Sequence, residues 1–371
     1  MQAETVIIDE LNYILDEEAK TASVTWTLDH LSGNIVIPDN VSYSGVTYSV
    51  TSIGDHAFDY FYRFFVNIPE GEEEIWFEDF RMAGTGITGI VIPESVTSIG
   101  RSAFALCSGL TSINIPGSVT SVGDSAFMDC YSLKGFSGSS SIISSDRRCL
   151  IVDGTLVAFA QGGLSSYNIP NGVTKIGSNA FNDCSGLTGI ITIPEGVTSI
   201  EERAFSFCRN LTGITIPSSV TSIGNSAFSD CTSLTGITVP EGVTVIEDGT
   251  FNNCNRLTDI VLPESVTTIG WAFIACRNLT SINIPKGVRQ INTQAFDSCW
   301  RLQDVFCYAK AVPNGVNKIT ADCSPIFKAT LHVPASAIDK YKTTYPWNQF
   351  GKIIPMTRKG LHPVSQVRTL L

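Results

Sequence analysis

The chain has 371 residues, of which 43% are hydrophobic and 16% are charged, and its formal net charge is −11. This length can bury a large core, so a disulfide-stapled miniprotein and a disordered chain are excluded. A nucleic-acid partner is disfavoured, because binding phosphates needs a basic surface. No apolar run reaches the roughly 18 residues that a membrane span requires.

The N-terminal segment, residues 1–50, contains apolar runs such as VIIDELNYIL and GVTYSVTSI that are typical of irregular strands. We expect these strands to cap one end of the fold. The start, MQAETVIIDE, lacks the basic and apolar regions of an export signal. Two alternatives therefore stay open: a cytoplasmic protein, or a mature secreted chain whose signal was replaced by Met1.

A motif of the form I-P-x-x-V-T-x-I-x-x-x-A-F-x-x-C-x-x-L-T-x-I-x-I-P recurs over residues 51–300 with a spacing of about 23 residues. We call the phenylalanine of each copy the marker phenylalanine. A period of this length with an L-x-x-L-x-L core predicts a leucine-rich-repeat solenoid. The marker phenylalanines are Phe58, Phe80, Phe104, Phe127, Phe181, Phe205, Phe228, Phe251, Phe273 and Phe296.

One copy of the motif shows how a coil is built. Leu110, Ile113 and Ile115 are predicted to face the core, while Ser112 and Asn114 alternate outward, as in a strand. The V-T-x-I segment predicts a second short strand, and A-F-x-x-C predicts a short helical turn. The expected fold is a right-handed, strand-rich solenoid that is capped at both ends, because an open end would expose core and strand edges.

Eight cysteines lie three residues after a marker phenylalanine, which predicts a ladder of free thiols packed in the core. Disulfides between neighbouring coils stay open as an alternative, although the total of 11 cysteines excludes complete pairing. No metal site is expected, because no C-x-x-C cluster with histidine occurs. The eight are Cys107, Cys130, Cys184, Cys208, Cys231, Cys254, Cys276 and Cys299.

Besides the N-terminal segment, two further regions break the repeat before a C-terminal tail. The gap between Phe127 and Phe181 predicts an insertion near residues 134–165, where Asp153-Gly154 between apolar runs indicates a two-residue hairpin. Residues 301–356 lose the period and are predicted to form the C-terminal cap. Residues 357–371 have no pattern and are predicted to be a disordered tail.

An acidic run interrupts the coil around Phe80. It could bind a cation or a basic partner, with Trp76 and Phe77 as anchors, although it lacks the D-x-D-x-D spacing of calcium sites. The alternative is a solvated acidic loop, because blocks of like charge are mostly solvated. The candidate acidic patch consists of Glu72, Glu73, Glu74, Glu78 and Asp79.

The I-P-x-x-V-T-x-I-G-x-x-A-F-x-x-C-x-x-L pattern resembles the BspA-like leucine-rich repeats of bacterial surface antigens over roughly residues 35–300. Two coils depart from it, with Ala83 at a cysteine position and Thr250 at an alanine position. The resemblance implies export to the cell surface or the medium and adhesion to proteins of host or neighbouring cells. It implies no enzymatic activity and no cofactor.

The outward strand positions of successive coils are the candidate binding face. They are small and almost uncharged through the middle of the chain, which favours a broad platform for a partner. The alternative is that threonine simply suits exposed strands. Phe306, near Trp300 and Tyr308, could be a binding hot spot or part of the apolar shield of the C-terminal cap. The candidate residues are Ser112, Asn114, Thr192, Thr215, Thr238, Val261, Asn283 and Phe306.

We expect an extracellular or cell-surface monomer that binds an extracellular-matrix, host or bacterial surface protein and lacks a nucleic-acid partner. A carbohydrate-binding module is the alternative, but it would need exposed aromatic residues along the platform, where only Phe306 fits. An enzyme is not expected, because no H-E-x-x-H, G-x-S-x-G or P-loop motif occurs. The charged groups of the insertion are predicted to form a surface salt-bridge patch: Asp146, Arg147, Arg148 and Asp153.

Overall fold

The structure is a computed structural model and describes residues 5–26, 31–59, 86–292, 294–316 and 325–356. The chain winds into a strand-rich solenoid of about 11 turns with a spacing of about 23 residues. The prediction of a leucine-rich-repeat solenoid is therefore confirmed. The N-terminal strands pair as β1 with β2 and β2 with β3, both antiparallel: β1 (Thr5–Ile8), β2 (Leu11–Asp16) and β3 (Thr21–Thr25).

One side of the solenoid is a row of parallel strands, formed in the regular coils by the segment that precedes the I-P proline. Proline has no N–H to donate to the ladder, so the strands of these coils end there. We call this the first strand row. Its members are β4 (Gly33–Val36), β7 (Ile87–Val91), β9 (Ser112–Ile115), β11 (Phe136–Gly138), β15 (Gly189–Thr192), β17 (Leu211–Thr215), β19 (Gly236–Thr238), β21 (Asp259–Val261), β23 (Ser281–Ile284), β25 (Asp304–Cys307), β27 (Thr330–Val333) and β28 (Lys352–Pro355).

The V-T-x-I segments form most of the second strand row. Apart from β6, which also pairs antiparallel with β5 (Asn40–Tyr43), these strands are short and parallel. The row begins where β6 pairs in parallel with β3. Its members are β6 (Val46–Ile53), β8 (Ser98–Ile99), β10 (Ser121–Val122), β14 (Lys175–Ile176), β16 (Ser199–Ile200), β18 (Ser222–Ile223), β20 (Val245–Ile246), β22 (Thr268–Ile269), β24 (Gln290–Asn292) and β26 (Asn314–Val316).

The A-F-x-x-C segments close each coil through successive i to i+3 hydrogen-bonded turns. Ser226 and Asp230 in one such segment have φ angles of 55° and 59°, in the left-handed region. Left-handed residues prevent the segment from continuing as a helix. Adjacent turns are joined by backbone bonds, such as the one from the N–H of Phe205 to the carbonyl of Ala227 at 2.8 Å.

The core follows the axis of the stack. The marker phenylalanines lie over one another, as in Phe205 and Phe228, whose ring centroids are 5.7 Å apart with 12° between the planes. The ten described cysteines are all buried and free of disulfide bonds. Because one coil cannot bury its own apolar face, this continuous column is what stabilises the array.

The stack has no coil at one predicted position. The rings of Phe58 and Phe104 are stacked at 5.3 Å, and the Phe58 N–H donates to the carbonyl of Ala103 at 2.8 Å. The prediction of a coil centred on Phe80 between these two is therefore wrong, because direct stacking and hydrogen bonding make them neighbours. Phe80 itself lies outside the described residues.

The insertion contains an antiparallel hairpin of β12 (Cys149–Val152) and β13 (Thr155–Phe159). Asp153 and Gly154 form its turn with φ angles of 48° and 76°, as a type I′ turn requires. Strand β13 also pairs in parallel with β14, so it occupies one place in the second strand row. Phe159 packs into the core of the following coils and Val157 into that of the preceding ones, so the hairpin divides two hydrophobic clusters.

The first strand row continues past residue 300 through β25, β27 and β28, in segments that no longer carry the repeat motif. The helical elements among the described residues are α1 (Ile338–Thr343) and the 3₁₀ turns Pro325–Phe327, Ala335–Ala337 and Trp347–Gln349. Trp347 is buried, and its indole N–H donates to the carbonyl of Pro313 at 2.7 Å. The capping roles of residues 1–50 and 301–356 stay predictions. Within the described ranges, no helix has the length and apolarity that crossing a bilayer requires.

Candidate functional site

The outward side chains of the first strand row, which we call the platform, are aligned by strand register. Thr192 lies beside Thr215, and Thr238 beside Val261. Near the C-terminal end, the neighbours are Asn283, Phe306 and then His332. Ser112 belongs to the neighbouring line of outward positions, beside Gly89. The platform residues are Ser112, Asn114, Thr192, Thr215, Thr238, Val261, Asn283 and Phe306.

The hairpin insertion separates one end of the platform from the rest. Asn114 lies between Val91 and Ser137 in the sheet that ends at β11. Thr192 begins a different sheet, on the far side of the insertion. The structure therefore groups Ser112 with Asn114 and separates these two from the other platform residues.

Two sets of threonines lie in the first strand row or immediately before its strands. The hydroxyls of Thr235 and Thr258 each donate to a carbonyl of the preceding coil at 3.2 Å, so they join coils. Thr192, Thr215 and Thr238 are exposed, and their hydroxyls form no hydrogen bond with any described residue. The second set is thus free to bond a partner.

Ile190 is a platform residue that the motif alone does not identify. It lies next to Gly213 and exposes 69% of its surface, because the strand pairing shifts register between Gly189 and Ile190. A single exposed apolar side chain is common on protein surfaces, so Ile190 counts as part of the platform and not as a patch by itself. The signal is present in the sequence, since G-I-I-T-I-P has one residue more than the usual G-I-T-I-P.

The C-terminal end of the platform carries a small polar and aromatic cluster. The rings of Phe306 and His332 stack with centroids 4.2 Å apart. The Nε2 atom of His332 lies 2.6 Å from Oδ1 of Asp304. Phe306 is half-buried, whereas Trp300 exposes 57% of its surface. Both interpretations of Phe306, a binding hot spot and a part of the apolar shield of the C-terminal cap, stay predictions.

The charged residues of the insertion do not form the expected salt-bridge patch within the described chain. Burial raises the pKa of Asp146, but hydrogen bonds from the Ser144 hydroxyl and the Arg148 N–H outweigh burial and lower it. The Arg148 guanidinium donates to the carbonyls of Ala160 and Gly162, each at 3.1 Å. Because backbone carbonyls accept the hydrogen bonds of the Arg148 guanidinium, these charged residues stabilise the local turn and, among the described residues, form no patch of ion pairs.

Elsewhere in the part of the chain that the structure describes, few groups are arranged for metal binding or nucleophilic chemistry. No group of three or more histidine, cysteine, aspartate or glutamate side chains there could hold a metal ion. Burial, with a smaller contribution from Asp59, raises the pKa of the Cys107 thiol to about 12, which suppresses its nucleophilicity. The candidate acidic patch lies outside the described residues: Glu72, Glu73, Glu74, Glu78 and Asp79.

Two open depressions lie away from the platform. One, of about 680 Å³, surrounds Trp271 on the second strand row. The other, of about 490 Å³, lies among the turns that contain Tyr131 and Phe207. The sequence motif predicts neither of them.

Comparison with known proteins gives one family. The sequence matches the profile described as BspA type Leucine rich repeat region, in six copies over residues 37–150, 156–271 and 246–330. No curated protein matches the chain.

Similar solved structures come from several bacteria. A leucine-rich repeat protein from Bacteroides ovatus is 24% identical, with a TM-score of 0.48 and coverage of 95% of this chain and 100% of that one. A leucine-rich cell surface protein from Faecalibacterium prausnitzii is 22% identical, with a TM-score of 0.44 and coverage of 97% of both chains. The pneumococcal vaccine antigen PcpA is 14% identical, with a TM-score of 0.43 and coverage of 96% and 99%.

Proposed function

The chain belongs to the family of BspA-type leucine-rich repeat proteins, and we propose that it binds a protein of a host or neighbouring cell through the platform. In this proposal the chain acts as a monomer, at the cell surface or in the medium, by contact and without catalysis. The observation that carries the proposal is the exposed Ile190, set among threonine hydroxyls that no described residue uses.

Removing water from the platform when a partner binds should cost little free energy. Thr192, Thr215 and Thr238 are short and uncharged, so a partner can approach the strands closely without leaving a buried charge unpaired. Their hydroxyls can each donate and accept a hydrogen bond. Ile190 supplies the apolar anchor around which such polar contacts are effective.

A binding screen tests this proposal. The purified chain is immobilised and exposed at physiological salt to extracellular-matrix proteins and bacterial surface proteins, with a Thr215→Arg/Thr238→Arg variant alongside. Thr244→Arg is the matched control, since Thr244 is an exposed threonine immediately before β20, in the second strand row. We expect saturable binding that the double variant loses and the control retains.

Two results would overturn the proposal: no protein of either class binds, or the double variant binds as tightly as the unmodified chain. Ile190→Asp provides an independent check. It places a charge at the apolar anchor, and we expect it to weaken binding by about tenfold or more. Sedimentation of the free chain tests the proposal that it is a monomer.

Polysaccharide capture by the platform is the less favoured alternative. It would need aromatic rings exposed along the strands, on which sugar rings could stack. Phe306 is the one aromatic residue among the platform residues, and it is half-buried against His332. Binding of a polysaccharide that the Thr215→Arg/Thr238→Arg variant loses, without protein binding, would favour this alternative.

A further inference from the structure

The coil that contains Phe273 is one residue shorter than its neighbours. Five positions separate Ile246 from Phe251 in the preceding coil, but four separate Ile269 from Phe273. The missing residue is the first of the two left-handed positions, which Gly249 occupies with a φ of 68° in the preceding coil.

A cleft of about 680 Å³ lies at this shortened coil, over β20, β22 and β24. Trp271, in the turn of the shortened coil, exposes 37% of its surface and lines this cleft. Gly270 lets the Asp248 carboxylate lie close to the backbone, because an added Cβ there would collide with that carboxylate. The other polar residues of the wall are Glu247, Asp248, Thr268, Gln290, Asn292 and Gln294.

Two of the polar side chains are held in place by their own backbone contacts. The Trp271 N–H donates to Oδ1 of Asp248 at 3.0 Å, and the Gln294 N–H donates to Oδ1 of Asn292 at 3.0 Å. No hydrogen bond within the described ranges uses Oδ2 of Asp248 or Nδ2 of Asn292. The wall therefore offers an acceptor and a donor whose side chains are already oriented, which lowers the entropy cost of binding.

We propose that this cleft binds a neutral hexopyranose unit of a glycan. The indole of Trp271 offers an apolar face for the C–H face of a sugar ring. Carboxylates accept from sugar hydroxyls, and amides both donate to and accept from them. Among the described residues, no lysine or arginine lines the cleft, so an anionic sugar would face Glu247 and Asp248 without compensation.

An ammonium group fits the cleft less well than a sugar does. It could pair with Glu247 and Asp248, but it has donors only and would leave the amide N–H groups of Asn292 and Gln294 unmatched. The cleft lies on the second strand row and the adjoining turn, not on the platform. Glycan binding here is therefore separate from the protein binding proposed above.

Titration calorimetry with neutral oligosaccharides of glucose, galactose and mannose tests the site on the full chain. We expect saturable binding of at least one, weakened by about tenfold or more in Trp271→Ala. Trp300→Ala is the matched control, because Trp300 is also an exposed tryptophan and does not line the cleft. Circular dichroism verifies that both variants are folded.

A second variant tests the origin of the cleft. Inserting one glycine between Trp271 and Ala272 restores the full coil length, and we expect it to abolish sugar binding while platform binding persists. The proposal is overturned if no neutral oligosaccharide binds, if Trp300→Ala loses as much as Trp271→Ala, or if a lysine-rich peptide alone occupies the cleft. If the unmodified chain binds a neutral sugar but binds no protein through the platform, only the proposed function is contradicted.

Discussion

The Sγ atom of Cys254 lies 3.2 Å from the carbonyl oxygen of Phe228, one coil earlier, and donates a hydrogen bond to it. The same carbonyl accepts the N–H of Cys231 at 3.3 Å, so both of its lone pairs are used. The relation recurs along the stack, with sulphur-to-oxygen distances of 3.0 to 3.2 Å in the pairs Cys130–Phe104, Cys208–Phe181, Cys231–Phe205, Cys276–Phe251 and Cys299–Phe273. Cysteine is thus both a small apolar filler and a donor between coils.

Cys254→Ala is expected to destabilise the chain by about 1–3 kcal/mol, because it removes the thiol donor and leaves a cavity beside Phe228. Urea unfolding monitored by circular dichroism measures the loss. Thr244→Ala is the control, since Thr244 is exposed and its hydroxyl bonds no described residue. An unchanged unfolding midpoint in Cys254→Ala would show that the sulphur-to-carbonyl contact contributes nothing.

Alkaline pH is expected to destabilise the fold through its buried thiols. Burial raises the pKa of Cys107, Cys149 and Cys299 from 9.0 to about 12. Above pH 9 the unfolded chain loses thiol protons that the folded chain keeps, so stability is full below pH 9 and falls between pH 9 and about 12. Each thiol lowers the free energy of unfolding by up to about 1.4 kcal/mol per pH unit in that window.

Urea unfolding under reducing conditions at a series of pH values from about 8 to about 11 measures this slope. A Cys107→Ala/Cys299→Ala variant should be less stable at pH 8 but lose stability less steeply above pH 9, since two of the shifted thiols are gone. A thiol reagent that labels the native chain at pH 9 as quickly as the unfolded chain would contradict the prediction.

The repeat made most of the fold predictable. Leu110, Ile113 and Ile115 recur at fixed positions, so one coil determines the others, and all three are buried as expected. The failure at Phe80 has a physical cause, because a motif shows that a segment could form a coil but not which coils stack. The direct stack of Phe58 on Phe104 depends on contacts between distant residues.

The candidate sites were less predictable because they arise where the repeat changes length. Ile190 is exposed by one added residue, and Trp271 lines a cleft at a coil with one residue removed. Both changes are visible as spacings of 24 and 22 residues between marker phenylalanines. A motif that describes the average repeat hides these changes in length. Which side chains the changes expose follows only from three-dimensional packing.

Gly154 and Gly163 form a matched pair for testing the hairpin turn. Both have left-handed backbones, with φ angles of 76° and 79°. An added Cβ at Gly154 would lie 2.5 Å from the Thr174 hydroxyl, whereas one at Gly163 would meet no atom within 4 Å. Gly154→Ala should therefore cost more than Gly163→Ala, which should cost about 1 kcal/mol from backbone strain alone. Equal unfolding midpoints for the two variants would contradict this account.

Tyr131 and Asp183 join the turns on either side of the insertion, where side chains replace the backbone bonds that link turns elsewhere. The Tyr131 hydroxyl donates to Oδ2 of Asp183 at 2.8 Å, and Nδ2 of Asn179 donates to the Ser125 hydroxyl at 2.9 Å. Because the hairpin also divides the two hydrophobic clusters, these bonds couple the two halves of the solenoid.

Tyr131→Phe keeps the ring but removes the donor, and we expect a loss of about 1 kcal/mol in unfolding free energy. Hydrogen exchange should also accelerate in the Phe181 turn more than at the distant Phe273 turn, because the coupling is lost locally. Tyr43→Phe is the control, since Tyr43 is an exposed tyrosine of β5. Faster exchange that is equal along the whole stack would instead mean that the Tyr131 hydroxyl stabilises the chain globally and does not couple its halves.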